Sequence, residues 1–404
     1  MIKFLEQPFL PVLFGNDINA YSMARAFHEA YGVKSVVVGK SARGPNADSL
    51  IVDFRLEKDL EEEETFKRTV ASLSQEFQDR AVILLGCGDS YIELLAKNRD
   101  NFPGHTITPY INYQKMRTLI NKENFYQICD RFDLPHPSTF IYRREMGKDV
   151  SLPFGYPVIV KPADQIAYWK NPFPGQKKVY KARKSRELFR ITSLIYASGY
   201  RDNLVIQDFV PGDDTYMRVL TCYSSQSGKV KLAALGHVLL EEHTPHGIGN
   251  HAVIINEENE ALVEKVRKFL DGIGYIGFSN LDIKYDVRDK TYKFLELNAR
   301  QGRSNYYVTG AGENLAKYLV EDRVFKKKVD FKSVKNAVLW LVVPQSVAFS
   351  YVKDPNLREQ MRALIKAGRI VNPLFYPGDL GLKRRLRLLK THLSHFFKFA
   401  RYYR

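Results

Sequence analysis

FSNLDIKYDVRDKTYKFLELNAR, residues 278–300, reads as two strands joined by a short turn. Successive side chains of a strand point to opposite faces. Asn280, Asp282 and Lys284 therefore share one face of the first strand, and Tyr292, Phe294, Glu296 and Asn298 share one face of the second. The turn is short enough for the strands to pair as a hairpin, and pairing lets Asp282, Glu296 and Asn298 converge. Three hard oxygen donors, with Arg300 just beyond them, are what Mg²⁺ bridging nucleotide phosphates requires. Glu296 stands inside an otherwise apolar strand, where an unpaired carboxylate is costly, so a cation is expected beside it. The competing reading is an ordinary hairpin with a polar, solvated end.

Upstream, Lys161 ends the apolar run YPVIVKP. A lysine at the tip of a buried strand can hold phosphate as a point charge, or it can snorkel to water. VIQDFVPGDD (205–214) runs strand, glycine turn, acid. Backbone groups around Phe209 and Val210 suit an adenine edge, and Asp214 suits ribose hydroxyls. Arg218, on the strand TYMRVL, offers a fork for a substrate carboxylate, or it is paired within the core. EEHTPHGIGNHAVI carries His243, His246 and His251. No pair has the i, i+4 helical spacing of a zinc site with an intervening glutamate, so it reads as a loop, either mobile near an acceptor site or simply connecting.

Residues 9–110 alternate strands and helices: strands 9–14, 34–38 and 81–85, helices 19–31 and 57–77. Such alternation predicts a parallel sheet with helices on both faces. Gly15 and Gly86-Cys87-Gly88 follow strands, where ligands bind such sheets. The second group lacks the third glycine of a dinucleotide fingerprint and also reads as a plain strand-to-helix turn. One helix is expected over 112–132, then a strand at 157–160 and a helix at 186–197. Strands dominate afterwards, at 204–209, 215–223, 229–240, 278–285 and 291–297, with one helix at 257–270.

The whole chain has 404 residues, of which 45% are hydrophobic and 26% charged, so two or three packed domains are expected. The opening MIKFLEQPFLP is broken by charge and proline and does not read as a signal peptide. The apolar run at 337–343 is far too short to span a bilayer. Cys87, Cys129 and Cys222 are 42 and 93 residues apart, neither a zinc spacing nor a disulfide framework. The expectation is a soluble cytoplasmic protein. Its net charge of +16 favours anionic partners. Nucleic acid is disfavoured, because the basic residues cluster in a tail without a nucleic-acid motif and the acidic hairpin would go unexplained.

Taken in order, these motifs resemble the ATP-grasp superfamily: a lysine before the lid, a lysine at a strand end, Q-x-F-V-x-G-x-D, an acid on one late strand and E-L-N-x-R on the next. The resemblance covers residues 9–325. LFGNDINAYSMARAFHEAYG, LLGCGDSYIELL and YWKNPFPGQKKVY resemble the carboxylate–amine ligase branch. Within it, the chain is similar to the D-aspartate ligases that extend peptidoglycan precursors in Gram-positive bacteria. The fold so implied is mixed α/β and α+β: a Rossmann-like pre-ATP-grasp domain over 1–112, a small α/β lid domain over 113–203 and a mostly antiparallel α+β domain with the metal site over 204–328. An extension over 329–404 ends in a basic amphipathic helix.

The resemblance implies ATP and Mg²⁺ as cofactors, two ions, with Mn²⁺ as a substitute. Lys115 and Lys161 would contact the ATP phosphates. Gln207, Phe209 and Val210 would line the adenine pocket, and Asp214 would hold the ribose. Asp282, Glu296 and Asn298 would bind the metal, and Arg300 would steady the transferred phosphoryl group. The lid departs from the glycine-rich pattern: residues 163–178 contain one glycine, Gly175, but also Lys170, Lys177 and Lys178, so lysine charge, Lys178 included, stands in for backbone amides. The expected reaction joins an amino-acid carboxylate, D-aspartate by resemblance, to the amine of a peptide-bearing cell-wall precursor through an acyl phosphate. Ligation of another small acid, or ATP binding without turnover, are the alternatives.

The tail LKRRLRLLKTHLSHFFKFARYYR places Leu382, Leu386, Leu389, Leu393, Phe396 and Phe397 on one helical face, with eight Lys or Arg and no acid in residues 381–404. Such a helix suits an anionic membrane surface at the inner face, docking on its own protein, or a homodimer contact.

Overall fold

A computed structural model of the chain describes residues 4–148, 150–245 and 247–403. Its first sheet is wholly parallel and contains β1 (Phe9–Phe14), β2 (Ser35–Gly39), β3 (Val52–Leu56), β4 (Ala81–Gly86) and β5 (Thr106–Ile107). The strand order is β3-β2-β1-β4-β5. Near-continuous apolar runs such as FLPVLF are buried on both faces, as a sheet covered by helices requires. β3, which the sequence reading did not resolve, pairs with β2. The order reverses between β1 and β4, where a crevice forms at the strand ends. The chain's own loop fills that crevice: buried Gln301 donates to the Gly86 carbonyl at 3.2 Å, and Asn19 donates to the Gln301 carbonyl at 3.1 Å.

The second sheet holds β6 (Thr139–Tyr142), β7 (Val158–Pro162), β8 (Tyr180–Ala182) and β9 (Leu204–Asp208) in the order β6-β9-β7-β8. β9 thus belongs with the lid strands and not with the domain expected to begin at residue 204. Its Leu204 and Ile206 pack into the lid's separate small core with Val158, Val160 and Tyr168.

The third sheet is the largest. β10 (Met217–Ser224), β11 (Val230–Glu241), β12 (His251–Asn256), β13 (Gly277–Asp286) and β14 (Thr291–Asn298) pair antiparallel, in the order β14-β13-β10-β11-β12. β15 (Lys332–Ser333), β16 (Leu339–Leu341) and β17 (Ile370–Val371) extend the same sheet. Residues after 329 are therefore integral to it, with Trp340 fully buried, rather than an appended segment. HAVIIN, expected in a loop, is β12, and all six residues are buried. The sheet and the N-terminal unit share one continuous hydrophobic core.

The helix expected over 112–132 is two helices, Tyr113–Ile120 and Lys122–Arg131. Asn121 separates them and caps the second by accepting from the Asn124 amide at 3.2 Å. The tail forms the helix Leu382–Tyr402. No helix among the described residues is long and apolar enough to cross a membrane.

Candidate active site

A cleft of about 230 Å³ opens between the lid sheet and the large sheet. Ile159 and Lys161 of β7, Lys178 and Val179 before β8, and Gln207 to Val210 at the end of β9 form one wall. Met217, Glu241, Asp282, Lys284, Leu295 and Glu296 form the other. One part is apolar and suits a planar base, while the other is crowded with charge.

The charged part is built by the hairpin. Asp282 lies directly opposite Glu296, and Asn280 opposite Asn298. The register shifts after Asp282, so that Ile283 faces Phe294 and Leu295 is the extra residue of a bulge. Phe294 was expected beside Glu296, but the bulge turns it into the core, fully buried, and leaves Leu295 and Glu296 both on the cleft. The bulge is pinned by the Tyr126 hydroxyl, which donates to the Leu295 carbonyl at 2.5 Å, and by the Phe294 amide, which donates to the Pro135 carbonyl at 2.7 Å.

Glu296 has the cationic company its burial demands. Lys178 and Lys122 each stand 3.1 Å from one of its oxygens. Burial pushes the carboxyl up, but Lys178, Lys122 and Lys161 together hold it well below the ordinary range. Burial, then the charge of Glu296, pushes Asp282 up to about 8. Burial also lowers the Lys161 ammonium to about 8. Asn298 and Asn280 donate to the two oxygens of Asp282 at 3.4 and 3.3 Å. Among the described residues no three His, Cys, Asp or Glu side chains gather as a closed metal shell. Two carboxylates and a carboxamide make a partial oxygen set, which suits a hard cation whose remaining ligands are phosphate oxygens and water.

The other sequence expectations divide. Phe209 and Val210 line the cleft as expected, with the Lys181 ammonium 3.5 Å from the Phe209 ring centroid. Gln207 also lines it, with its amide committed to Thr139 at 2.9 Å. Lys161 and Lys178 are both on the wall. Lys115 is not: its ammonium is exposed and donates to the Ile273 carbonyl. Lys122, which the sequence reading passed over, is buried in the cleft instead.

Asp214 sits behind the wall, accepting from the Glu241 amide and from His243, each at 2.9 Å. The acid facing the cleft is Glu241, which burial and then the charge of Asp214 push up to about 7. Arg218 lies on the far face of β10. Val219 pairs with Asp282 and faces the cleft side, so Arg218, one residue earlier, points away. It holds Glu257 at 2.8 Å and the Thr215 carbonyl at 3.0 Å, a core-paired arginine rather than a substrate ligand. Gly212 turns the hinge at φ +103, and an added Cβ would run into the Tyr216 ring.

Beyond the carboxylates the cleft continues into a small polar annex lined by Arg300, Arg303, His251, Asn250 and Ser304. Arg300 reaches across to Asp89 of the N-terminal unit at 2.6 Å. Arg303 holds Glu242 at 3.2 Å, and its other terminal nitrogen is buried without a partner. His251 meets the Ser304 hydroxyl at 3.2 Å, and burial, then Lys178 and Arg303, lowers it to about 4. The 242–250 loop flanks this annex through Gly249 and Asn250; His246 lies outside the described residues. Arg303 carries a visible sequence signal, the second arginine of RQGR after the E-L-N strand.

No protein-family model matches the chain. A D-aspartate ligase of Enterococcus faecium (strain Aus0004) is 37% identical over 416 residues, covering 100% of this chain and 99% of that protein. Solved structures with a similar fold include an N5-carboxyaminoimidazole synthetase from Staphylococcus aureus complexed with ADP (TM-score 0.59, 15% identity, 84% of each chain). Others are the biotin carboxylase domain of Hydrogenobacter thermophilus 2-oxoglutarate carboxylase with MgADP (0.62, 16%, 81% of this chain and 72% of that one) and an L-amino acid ligase from Bacillus licheniformis (0.54, 19%, 78% and 74%). The low identities carry the fold alone, which is ATP-grasp, while the full-length relative carries the family. A three-sheet ATP-grasp architecture, a lysine-flanked carboxylate pair in its cleft and end-to-end similarity to that ligase lead to one assignment: the chain belongs to the D-aspartate ligase family of ATP-dependent carboxylate–amine ligases, enzymes that form a carbon–nitrogen bond.

Proposed function

We propose that this ligase activates D-aspartate and joins it to the side-chain amine of a lysine in a peptidoglycan stem-peptide precursor. The observation that carries the dicarboxylate substrate is the annex beside the carboxylate pair. Two guanidinium groups, Arg300 and Arg303, stand there, and one nitrogen of Arg303 is buried and unpartnered. A monocarboxylic amino acid spends its one carboxylate in the reaction and leaves none for a cationic anchor. Aspartate brings two carboxylates, one to react and one to be held, and a buried unpaired guanidinium nitrogen is stabilised by donating to the second.

The adenine of ATP would lie against Phe209, Val210, Met217 and Leu295, with Glu241 near the ribose. Lys122, Lys161 and Lys178 would hold the phosphates. Asp282, Glu296 and Asn298 would be the residues that hold Mg²⁺, as two ions, with Mn²⁺ as an acceptable substitute. The bound ions supply charge neutralisation on the phosphates.

A carboxylate oxygen of the substrate attacks the γ-phosphorus, the bond to the β-phosphate oxygen breaks, and ADP leaves with an acyl phosphate formed. The acceptor amine then adds to the acyl carbon. The tetrahedral intermediate collapses, expelling phosphate as the amine loses its proton, and an amide remains. Arg300 faces the developing oxyanion and phosphate charge, and preorganised charge of this kind is the main catalytic contribution in such a site. Closing the lid sheet over the acyl phosphate keeps out water.

The test is phosphate release from ATP and Mg²⁺ across a panel of D- and L-amino acids, with and without a UDP-linked muramyl pentapeptide. Release should require both D-aspartate and the peptide. Equal release with D-alanine would sink the dicarboxylate reading. Arg303→Met should raise the KM for D-aspartate about 10- to 100-fold, as loss of a charge-assisted pair does, with the KM for ATP nearly unchanged.

A further inference from the structure

The helix Leu382–Tyr402 has two apolar faces, and the molecule uses only one. Leu388 and Phe399 are buried against the protein, together with Arg384 and His395. Arg384 is fully enclosed, donating to the Pro45 and Ala47 carbonyls at 2.6 and 3.0 Å and lying 4.2 Å from the centroid of the Tyr21 ring. Phe399 packs on Tyr351 at a ring separation of 5.2 Å. Just beyond the helix, Tyr403 packs on His243 at 4.6 Å. The helix is therefore fixed at both ends and is not a loose tail.

The second face points outward. Leu382 is 76% exposed, Leu386 61%, Leu393 55% and Phe397 80%, with Leu389 and Phe396 beside them. At 3.6 residues per turn these six positions fall within an arc of roughly 100° that runs the length of the helix, about 30 Å. Lys383, Lys390 and Arg401 border the arc on one side and Arg385 on the other, all exposed. Residues 381–404 contain no acidic side chain, and the one ion pair these four make among the described residues is Lys383 with Asp48 at 2.9 Å. Six large apolar side chains in one exposed row are more than scattered surface hydrophobicity, and they mark an interaction site.

We propose that this face binds an anionic lipid bilayer, lying in the plane of the interface with its leucine and phenylalanine side chains among the acyl chains and its lysines and arginines at the headgroups. Two features select lipid over a protein partner. The arc is continuous and convex on a helix already anchored from behind, and its border is uniformly basic. A second copy of the chain would set that basic border against itself, whereas an anionic surface neutralises it. The proposal is independent of which acid and amine the enzyme joins.

The experiment is co-sedimentation of the full chain with vesicles of phosphatidylcholine alone and of phosphatidylcholine with 30% phosphatidylglycerol, at about 50 and 500 mM salt, the higher salt screening surface charge. Binding should favour the anionic vesicles and weaken at high salt. Leu393→Glu with Phe397→Glu should lower the vesicle partition coefficient at least tenfold, with an unchanged melting temperature. Lys390→Gln with Arg401→Gln, which leaves the apolar face intact, should lower it less and flatten the salt dependence. Absence of wild-type binding, or equal binding by the glutamate variant, overturns the proposal. So does light scattering that shows a dimer for the wild type and a monomer for the glutamate variant, because the face would then belong to a second copy.

Discussion

Lys115 and Lys122 are seven residues apart, so on one unbroken helix they would share a face. The break at Asn121 ends that equivalence. It sends Lys115 to the surface and buries Lys122 at 3.1 Å from Glu296. Lys122→Ala should lower ligase turnover about 100-fold, the scale of losing one preorganised charge at a phosphoryl-transfer site. Lys115→Ala should change it less than about threefold, within what surface substitutions do. Phosphate-release assays on the two variants check this, and the reverse order would restore the assignment read from sequence. Lys161 adds a pH signature. Its folded pKa is lowered from 10.5 to about 8, so it is charged below about pH 8 and neutral above it. The kcat/KM for ATP should therefore fall as pH rises past about 8. Lys161→Arg, which keeps its charge, should remove that alkaline limb even where its plateau is lower; a limb unchanged in that variant would assign it to another group.

At the scale of elements, the bulge in β14 and the burial of the tail helix are the two departures with consequences. The bulge places an apolar and an acidic residue side by side on the cleft, which an alternating strand cannot do. Leu295 joins the apolar part of the cleft and Glu296 the charged part. The tail helix depends on the Arg384–Asp379 pair. Both side chains are completely buried, and Asp379 also accepts from Tyr21 at 2.7 Å and Ser49 at 2.6 Å. Arg384→Met would leave that carboxylate buried without its cation, and breaking such a pair costs about 3–5 kcal/mol. Chemical denaturation should show that loss, whereas the exposed Leu393→Glu should stay within about 0.5 kcal/mol of the parent. A mild effect of Arg384→Met would mean that the helix is held by its aromatic contacts alone.

The whole molecule has one large core and one small one. The N-terminal sheet and the large sheet share a core, whereas β6 to β9 and their helix form their own. The lid, with a core of its own, is expected to move as a unit, and its lysine-lined wall makes nucleotide the expected ligand for its closure. Hydrogen exchange with and without ATP and Mg²⁺ should show protection gained over residues 139–206, with little change in β1 or β10. Uniform protection over the whole chain would argue against a separately moving lid. The 242–250 loop, at the mouth of the polar annex, should respond to the amino-acid substrate rather than to ATP.

The hairpin chemistry, the parallel N-terminal sheet and the order of the cleft motifs were legible in the sequence, because period-two alternation, strand–helix alternation and motif spacing are local properties of the chain. Asp282, Glu296, Phe209 and Lys161 could be assigned to the cleft once the order of those motifs was read as a family resemblance. Which lysine is buried in the cleft, whether Asp214 or Glu241 faces it, which arginine lines the annex and which residue of β14 turns inward could not. Each depends on a helix break, a bulge or the face of a strand presented to the cleft, and these are decided by packing between segments distant in the chain. Arg218 and Arg303 state the case most simply. Both are arginines near glycine turns, and only the pairing of β10 with β13 turns one into the core, while the docking of the 299–305 loop on the N-terminal sheet places the other on the polar annex.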